Sequence, residues 1–222
     1  MLGINTFDAI ARHPKEGPKA MHTQNDSSGL PSIAAVVSHD VTDFDTWQRA
    51  FDGSSAARKG AGIVAAHVNR DAANPNQLSV YLASNDAERL NAFLSSRDLM
   101  GTMRDAGVKG PPAIAMITPV EDQTVKDRPL AGAIVRHEVQ DFAIWKRAFD
   151  GDSDARRKAG IIGHAVNRGL KNPNLVVVYL QAESVDSLRA FASRPELKAV
   201  MTAAGVIGAP DISFVTGGAW TN

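Results

Sequence analysis

An α+β chain built from two βαββαβ repeats is the fold class that the sequence predicts, and three observations predict it. The stretch "DFDTWQRAFDG" at Asp43 returns as "DFAIWKRAFDG" at Asp141, 98 residues later. The match runs without a gap from Ala35–Thr118 onto Ala133–Thr216, with about forty of some 85 positions identical, which marks an internal duplication. Within each copy, short valine-rich runs alternate with segments of helical spacing. Two copies are too few for a solenoid, so they form either two domains or two halves that complete one another.

Each copy reads in the same order. "AAVVSHDV" (34–41) is a strand, and "DFDTWQRAF" then places Phe44, Trp47, Ala50 and Phe51 on one helical face. Thr42 or Asp43 can cap that helix, with Val41 as a staple residue; Gly60 and Gly62, and Gly160 in the second copy, end it. "GIVAAHVNR" (62–70) and "QLSVYLAS" (77–84) are strands, joined through "DAANPN" or "GLKNPN" as a hairpin. A helical region from Asp86 carries Leu90, Phe93 and Leu94 on one side. Its continuation starts best in the second copy, where Ser193, Pro195 and Glu196 form a capping-box pattern. Gly107 and Gly205 end these helices, and "AIAMIT" or "DISFVT" supplies the last strand.

The order βαββαβ is the split-βαβ, ferredoxin-like arrangement: one antiparallel sheet with helices on one face only. The bare face needs cover, and a second copy of the same sheet is the obvious cover. Two facing sheets from one chain make an intrachain α/β barrel, an internal pseudo-dimer that needs no second chain and leaves a monomer or weak homodimer. The expected boundaries are a flexible N-terminal arm (1–32), a first repeat (33–118), a linker (119–130), a second repeat (131–217) and a C-terminal tail (218–222).

Composition narrows the function. Lys and Arg balance Asp and Glu at 24 each, so no basic footprint for nucleic acid or anionic lipid is expected. There is no cysteine, which removes disulfides and thiol nucleophiles. No apolar run approaches a membrane span and no secretory signal is evident, so a cytoplasmic protein is the expectation. "DGDSD" (150–154) lacks the glycine and glutamate of a calcium loop, and no metal site or cofactor is expected.

The succession of strand-His, Val-x-Asp-Phe-x-x-Trp, Asn-Pro-Asn and Ala-Gly-Val-x-Gly-x-Pro, present in both copies, resembles the dimeric α/β-barrel superfamily. The likeness is nearest to antibiotic-biosynthesis-monooxygenase-like and polyketide-cyclase-like proteins and covers about Ile33–Thr216. It implies two facing sheets and, in several members, a pocket between one sheet and its own helices. The activities it implies range over cofactor-free oxygenases, cyclases, lactone isomerases, haem-degrading enzymes and proteins with no demonstrated reaction.

Several retained residues suit such a pocket. His39 and His137 end the first strand of each copy, on the face that repeats Ala35, Val37 and Val41; each is a candidate general base or acid, or a buried corner imidazole. Tyr81 and Tyr179 could donate to a carbonyl or stabilise an enolate, or sit hydrogen-bonded in the core. Trp47 and Trp145 are core residues or a wall for a planar substrate. Asn69, Arg70, Asn167 and Arg168 end the second strand, where arginine can hold an anion or pair with an acid such as Asp43 or Asp52. His67 faces Ala165 in the other copy and His164 faces Ala66; the adjacent positions must point to opposite faces. The leading expectation is a small-molecule enzyme acting on an apolar or aromatic carbonyl compound; the alternative is a non-catalytic ligand-binding or stress-related scaffold.

Overall fold

The computed structural model describes residues 29–221. The expected arm at 1–32 therefore lies almost wholly outside the described residues. The first repeat comprises β1 (Ile33–Val41), α1 (Phe44–Gly53), α2 (Ser55–Gly60), β2 (Ile63–Asp71), β3 (Gln77–Ser84), α3 (Ala87–Leu94), α4 (Arg97–Asp105) and β4 (Val108–Asp122). The second comprises β5 (Ala131–Val139), α5 (Phe142–Gly151), α6 (Ser153–Lys158), β6 (Gly163–Gly169), β7 (Leu175–Ala182), α7 (Val185–Ala192), α8 (Pro195–Ala203) and β8 (Val206–Thr221).

All strand pairs are antiparallel, and the eight strands close into one ring in the order β1-β3-β2-β8-β5-β7-β6-β4. Two four-stranded sheets thus meet inside a single chain. The closure depends on β4 and β8, which are 15 and 16 residues long, about twice the other strands. Each outgrows its own sheet and pairs with the partner repeat, Pro119 opposite Asn167 and Trp220 opposite His67. This corrects two boundaries: residues 119–122 are strand rather than linker, and 218–221 are strand rather than tail. Their backbone groups gain ladder partners that a tail would leave to solvent.

Two apolar cores lie outside the ring, between each sheet and its helices. Val37, Val41, Trp47, Val80 and Leu90 belong to one, and Val139, Trp145, Val178, Leu188 and Phe191 to the other. Burying each such side chain contributes about 1.5–3 kcal/mol. A third cluster of small residues, Ala34, Val36, Ala83, Ile117 and Val177, lies between the two sheets. The alternation is that of a pleated strand: along β1, odd positions meet the helices and even positions meet the other sheet.

Local signals largely hold. Asp43 and Asp141 cap α1 and α5 through the Thr46 and Ile144 N–H groups, each at 2.8 Å. Gly107 and Gly205 end α4 and α8 at φ of 81° and 79°, a backbone region open to glycine without steric cost. The expected capping box of the second copy does not form. Ser193 instead donates back to the Arg189 and Ala190 carbonyls, and Arg194 occupies the N-cap without a side-chain bond. The first copy has the working cap, Ser96 accepting from Leu99 N–H at 3.2 Å. No helix among the described residues is long and apolar enough to cross a membrane.

Candidate functional site

The β1–α1 corner builds the first part of a cleft. Asp43 fixes where α1 starts, so that Trp47 faces back onto His39, ring centroids 5.6 Å apart. Phe51, one turn on, stacks on Trp47 at 5.0 Å. Arg58 of α2 lays its guanidinium 3.7 Å over the Phe51 ring and donates to the Phe51 carbonyl. The second repeat reproduces this set: His137 to Trp145 at 5.5 Å, Trp145 to Phe149 at 5.2 Å, and Arg156 3.7 Å over Phe149, donating to its carbonyl.

Both corner histidines are more than nine-tenths buried, and neither ring nitrogen of either one has a hydrogen-bond partner among the described residues. Burial lowers the pKa of each to about 4, with Asp40 opposing the shift at His39, so both imidazoles are neutral at pH 7. A buried polar group left unbonded costs about 1–3 kcal/mol. Each histidine also lines a cavity between sheet and helices.

Those cavities differ. The one in the second repeat is about 340 Å³ and the one in the first about 60 Å³. At the positions that line both, the residues are identical except at three places: Leu94 against Ala192, Ser54 against Asp152, and Thr102 against Val200. The larger cavity also reaches residues of α8 and β8, Lys198 and Pro210 among them. Leu94 fills with a branched chain the space that Ala192 leaves open. The second cleft is also braced from the other repeat. Glu121 of β4 accepts from Lys146 of α5 at 2.7 Å and lies 3.0 Å from Nε2 of His164, whose ring meets Phe149 edge-on. Burial works against the Glu121 carboxylate, yet the Lys146 and His164 hydrogen bonds hold its pKa below the usual value.

The remaining candidate residues fall elsewhere. Tyr81, Tyr179, Asn69 and Asn167 do not share a cavity with the corner histidines; they point into the barrel lumen, on the opposite face of the same sheets. Period-two alternation requires this, because in the cross-strand registers Tyr81 sits opposite Val36 and His67, both lumen-facing. The Tyr179 hydroxyl donates to Asn69 Oδ1 at 3.1 Å and lies 3.4 Å from His67 Nε2. Asn167 donates to the Val177 carbonyl at 3.3 Å. Burial raises both tyrosine pKa values, Tyr179 to about 12, and lowers His67 to about 4. His67 also stacks on Trp220 at 4.4 Å, a residue the sequence reading left in a tail.

Arg70 and Arg168 are tied to the hairpins rather than to either cleft. Each donates through Nε to a proline carbonyl, Pro75 at 3.0 Å and Pro173 at 2.6 Å, and covers the ring of Phe44 or Phe142. The sequence reading passed over Arg58 and Arg156, although an arginine retained seven residues after Phe51 and Phe149 was visible as a signal.

No family model matches the chain, and no curated protein matches it by sequence. Solved structures do match by shape. An anthrone oxidase-like protein superposes with a TM-score of 0.62 at 12% identity, over 86% of this chain and 93% of its own. A candidate monooxygenase from Lactobacillus acidophilus gives 0.59 at 11%, over 86% and 96%. A ferredoxin-fold protein from Listeria monocytogenes, related to antibiotic biosynthesis monooxygenases, gives 0.51 at 9%, over 84% and 95%. The chain shares the fold of these proteins, with two ferredoxin-like repeats closed into one barrel. In this barrel both sheets, and both sheet–helix clefts, come from one polypeptide, so the two clefts are free to diverge.

Proposed function

We propose that this α/β barrel is a small-molecule enzyme that takes an apolar or aromatic carbonyl compound into the cleft of the second repeat, with His137 as its proton-transfer group. One observation carries the reading: an aromatic-walled cleft of about 340 Å³ presents a buried imidazole with both nitrogens unbonded. A 150 Å³ apolar cavity holds benzene, so this cleft suits a molecule of about two rings. Trp145, Phe149 and Phe191 supply flat walls.

The chemistry follows from the environment. Neutral His137 offers one N–H and one lone pair, so it can orient a carbonyl or accept a proton. A base of pKa about 4 removes only a proton whose loss is assisted. Arg156, in the same wall, is the group that can hold the enolate or phenolate so formed. Proton removal beside a carbonyl in a site that excludes water is the step shared by cofactor-free oxygenation, cyclisation and isomerisation.

The second reading is capture of the same ligand without turnover. It is favoured by the lack of any carboxylate hydrogen-bonded to His137 among the described residues. Anthrones, naphthols and related aromatic ketones are the probes, followed by binding, oxygen uptake and product mass. The enzyme reading expects turnover that falls by about 10²–10⁴-fold in His137→Ala and survives in His39→Ala. Binding without product leaves the capture reading, and turnover undiminished in a folded His137→Ala removes the assignment.

A further inference from the structure

The lumen holds a cavity that the cleft chemistry does not use. It is about 180 Å³, lies at one mouth of the barrel, and is walled by both repeats. Arg136 of β5 enters it from the lumen-facing side of the strand whose other face carries His137. The Arg136 Nε is buried without a hydrogen-bond partner, and no carboxylate lies within ion-pairing distance of it among the described residues. Asp211 stands directly opposite Arg136 in the β5–β8 register, and Asp71 enters from β2. One oxygen of Asp71 is committed to the Ala73 and Asn74 N–H groups of the hairpin.

The polarity is confined to one of two places related by the duplication. Asp71, Gln77, Ser79, Asp211 and Ser213 line this cavity; the equivalent positions of the other repeat are Gly169, Leu175, Val177, Ala113 and Ala115. Arg136 itself corresponds to Ser38. The equivalent positions lie across the same end of the barrel, and a fold that accepts an apolar set on one side has no structural need for five polar groups and a guanidinium on the other.

We infer that this mouth is a binding site for a small α-amino acid. The signs of charge decide the class. A simple anion held by Arg136 would face two carboxylates, and a simple cation held by them would face the guanidinium. A zwitterion satisfies both: its carboxylate takes the Arg136 fork and its ammonium group lies toward Asp211 and the free oxygen of Asp71, with serine hydroxyls completing the bonds. The volume, slightly above the 150 Å³ that holds benzene, admits a compact side chain as well. The site stands apart from the cleft and does not depend on its chemistry.

The test is calorimetric titration of the full chain with glycine, serine, acetate and ethanolamine, alongside Arg136→Ser and Asp211→Ala. Each substitution installs the residue that the first repeat carries at the same position, so the fold is expected to tolerate it. The amino acids should bind, acetate and ethanolamine more weakly, and each variant should lose about tenfold or more, as loss of a charged hydrogen-bond partner does. Absence of amino-acid binding, affinity unchanged in Arg136→Ser, or acetate binding as tightly as glycine would each overturn the assignment. The first of those outcomes would mean that Arg136 and Asp211 simply pair with one another in solution. A signal that survives both variants and disappears in Ala192→Leu belongs to the cleft, and overturns the inference equally.

Discussion

The two sheet–helix clefts began as one sequence and now enclose different amounts of space. Each retains the His–Trp–Phe–Arg wall at nearly identical spacings, yet one is close to filled and the other open. What distinguishes them includes Leu94 against Ala192, three carbon atoms at one wall position, and the brace from Glu121 to Lys146 and His164. Around the first cleft the equivalent places hold Ala219 of β8, Gln48 and Ala66, which cannot form it. A retained wall therefore does not by itself fix the space that a cleft encloses in a duplicated chain.

The largest expected effect is common to both halves and gives the baseline for separating them. His39, His67 and His137 have folded pKa values of about 4 against about 6.5 when unfolded, because burial disfavours the charged ring. Between those values the unfolded chain binds more protons, so stability is full above pH 6.5 and declines as pH falls toward 4. Each histidine contributes on the order of 3 kcal/mol to that loss. Urea midpoints at pH 7 and pH 4 measure the sum. Imidazole NMR titrations resolve the halves: a cleft ligand should move His137 and leave His39 unchanged.

Trp47→Ala and Trp145→Ala should each cost about 3–5 kcal/mol, with Trp47 the more expensive because its surroundings are filled. Equal losses in urea titration would show that the second cleft is closed in solution. Next come the exchange variants. Leu94→Ala should cost about 2 kcal/mol, the low end for a leucine truncation because the residue is only half buried. It should also create ligand binding in the first repeat. Ala192→Leu should abolish binding in the second without unfolding it. If neither exchange alters the binding of aromatic ketones, cleft volume is not what separates the repeats. The smallest contrast is at the caps: Ser96→Ala should cost about 1 kcal/mol and Ser193→Ala distinctly less, read from thermal midpoints.

Much of the architecture was determined by sequence alone. The 98-residue repeat, the period-two strands and the period-3.6 helices specify two βαββαβ units, because burial of one face per element is a local, periodic demand. The same alternation placed His39 with Ala35 and Val37, and set His67 and His164 on opposite faces, as the fold confirms. Only tertiary structure decided the rest. The lengths of β4 and β8 depend on pairing with the partner repeat, and no local signal in "TPVED" or "TGGAW" announces that partner. Histidine and tyrosine looked like one site because both were retained, whereas the sheet stands between them. Whether a cleft is open depends on how side chains from β1, α1, α2, α3 and α4 sum in space, a property of packing that no single position carries.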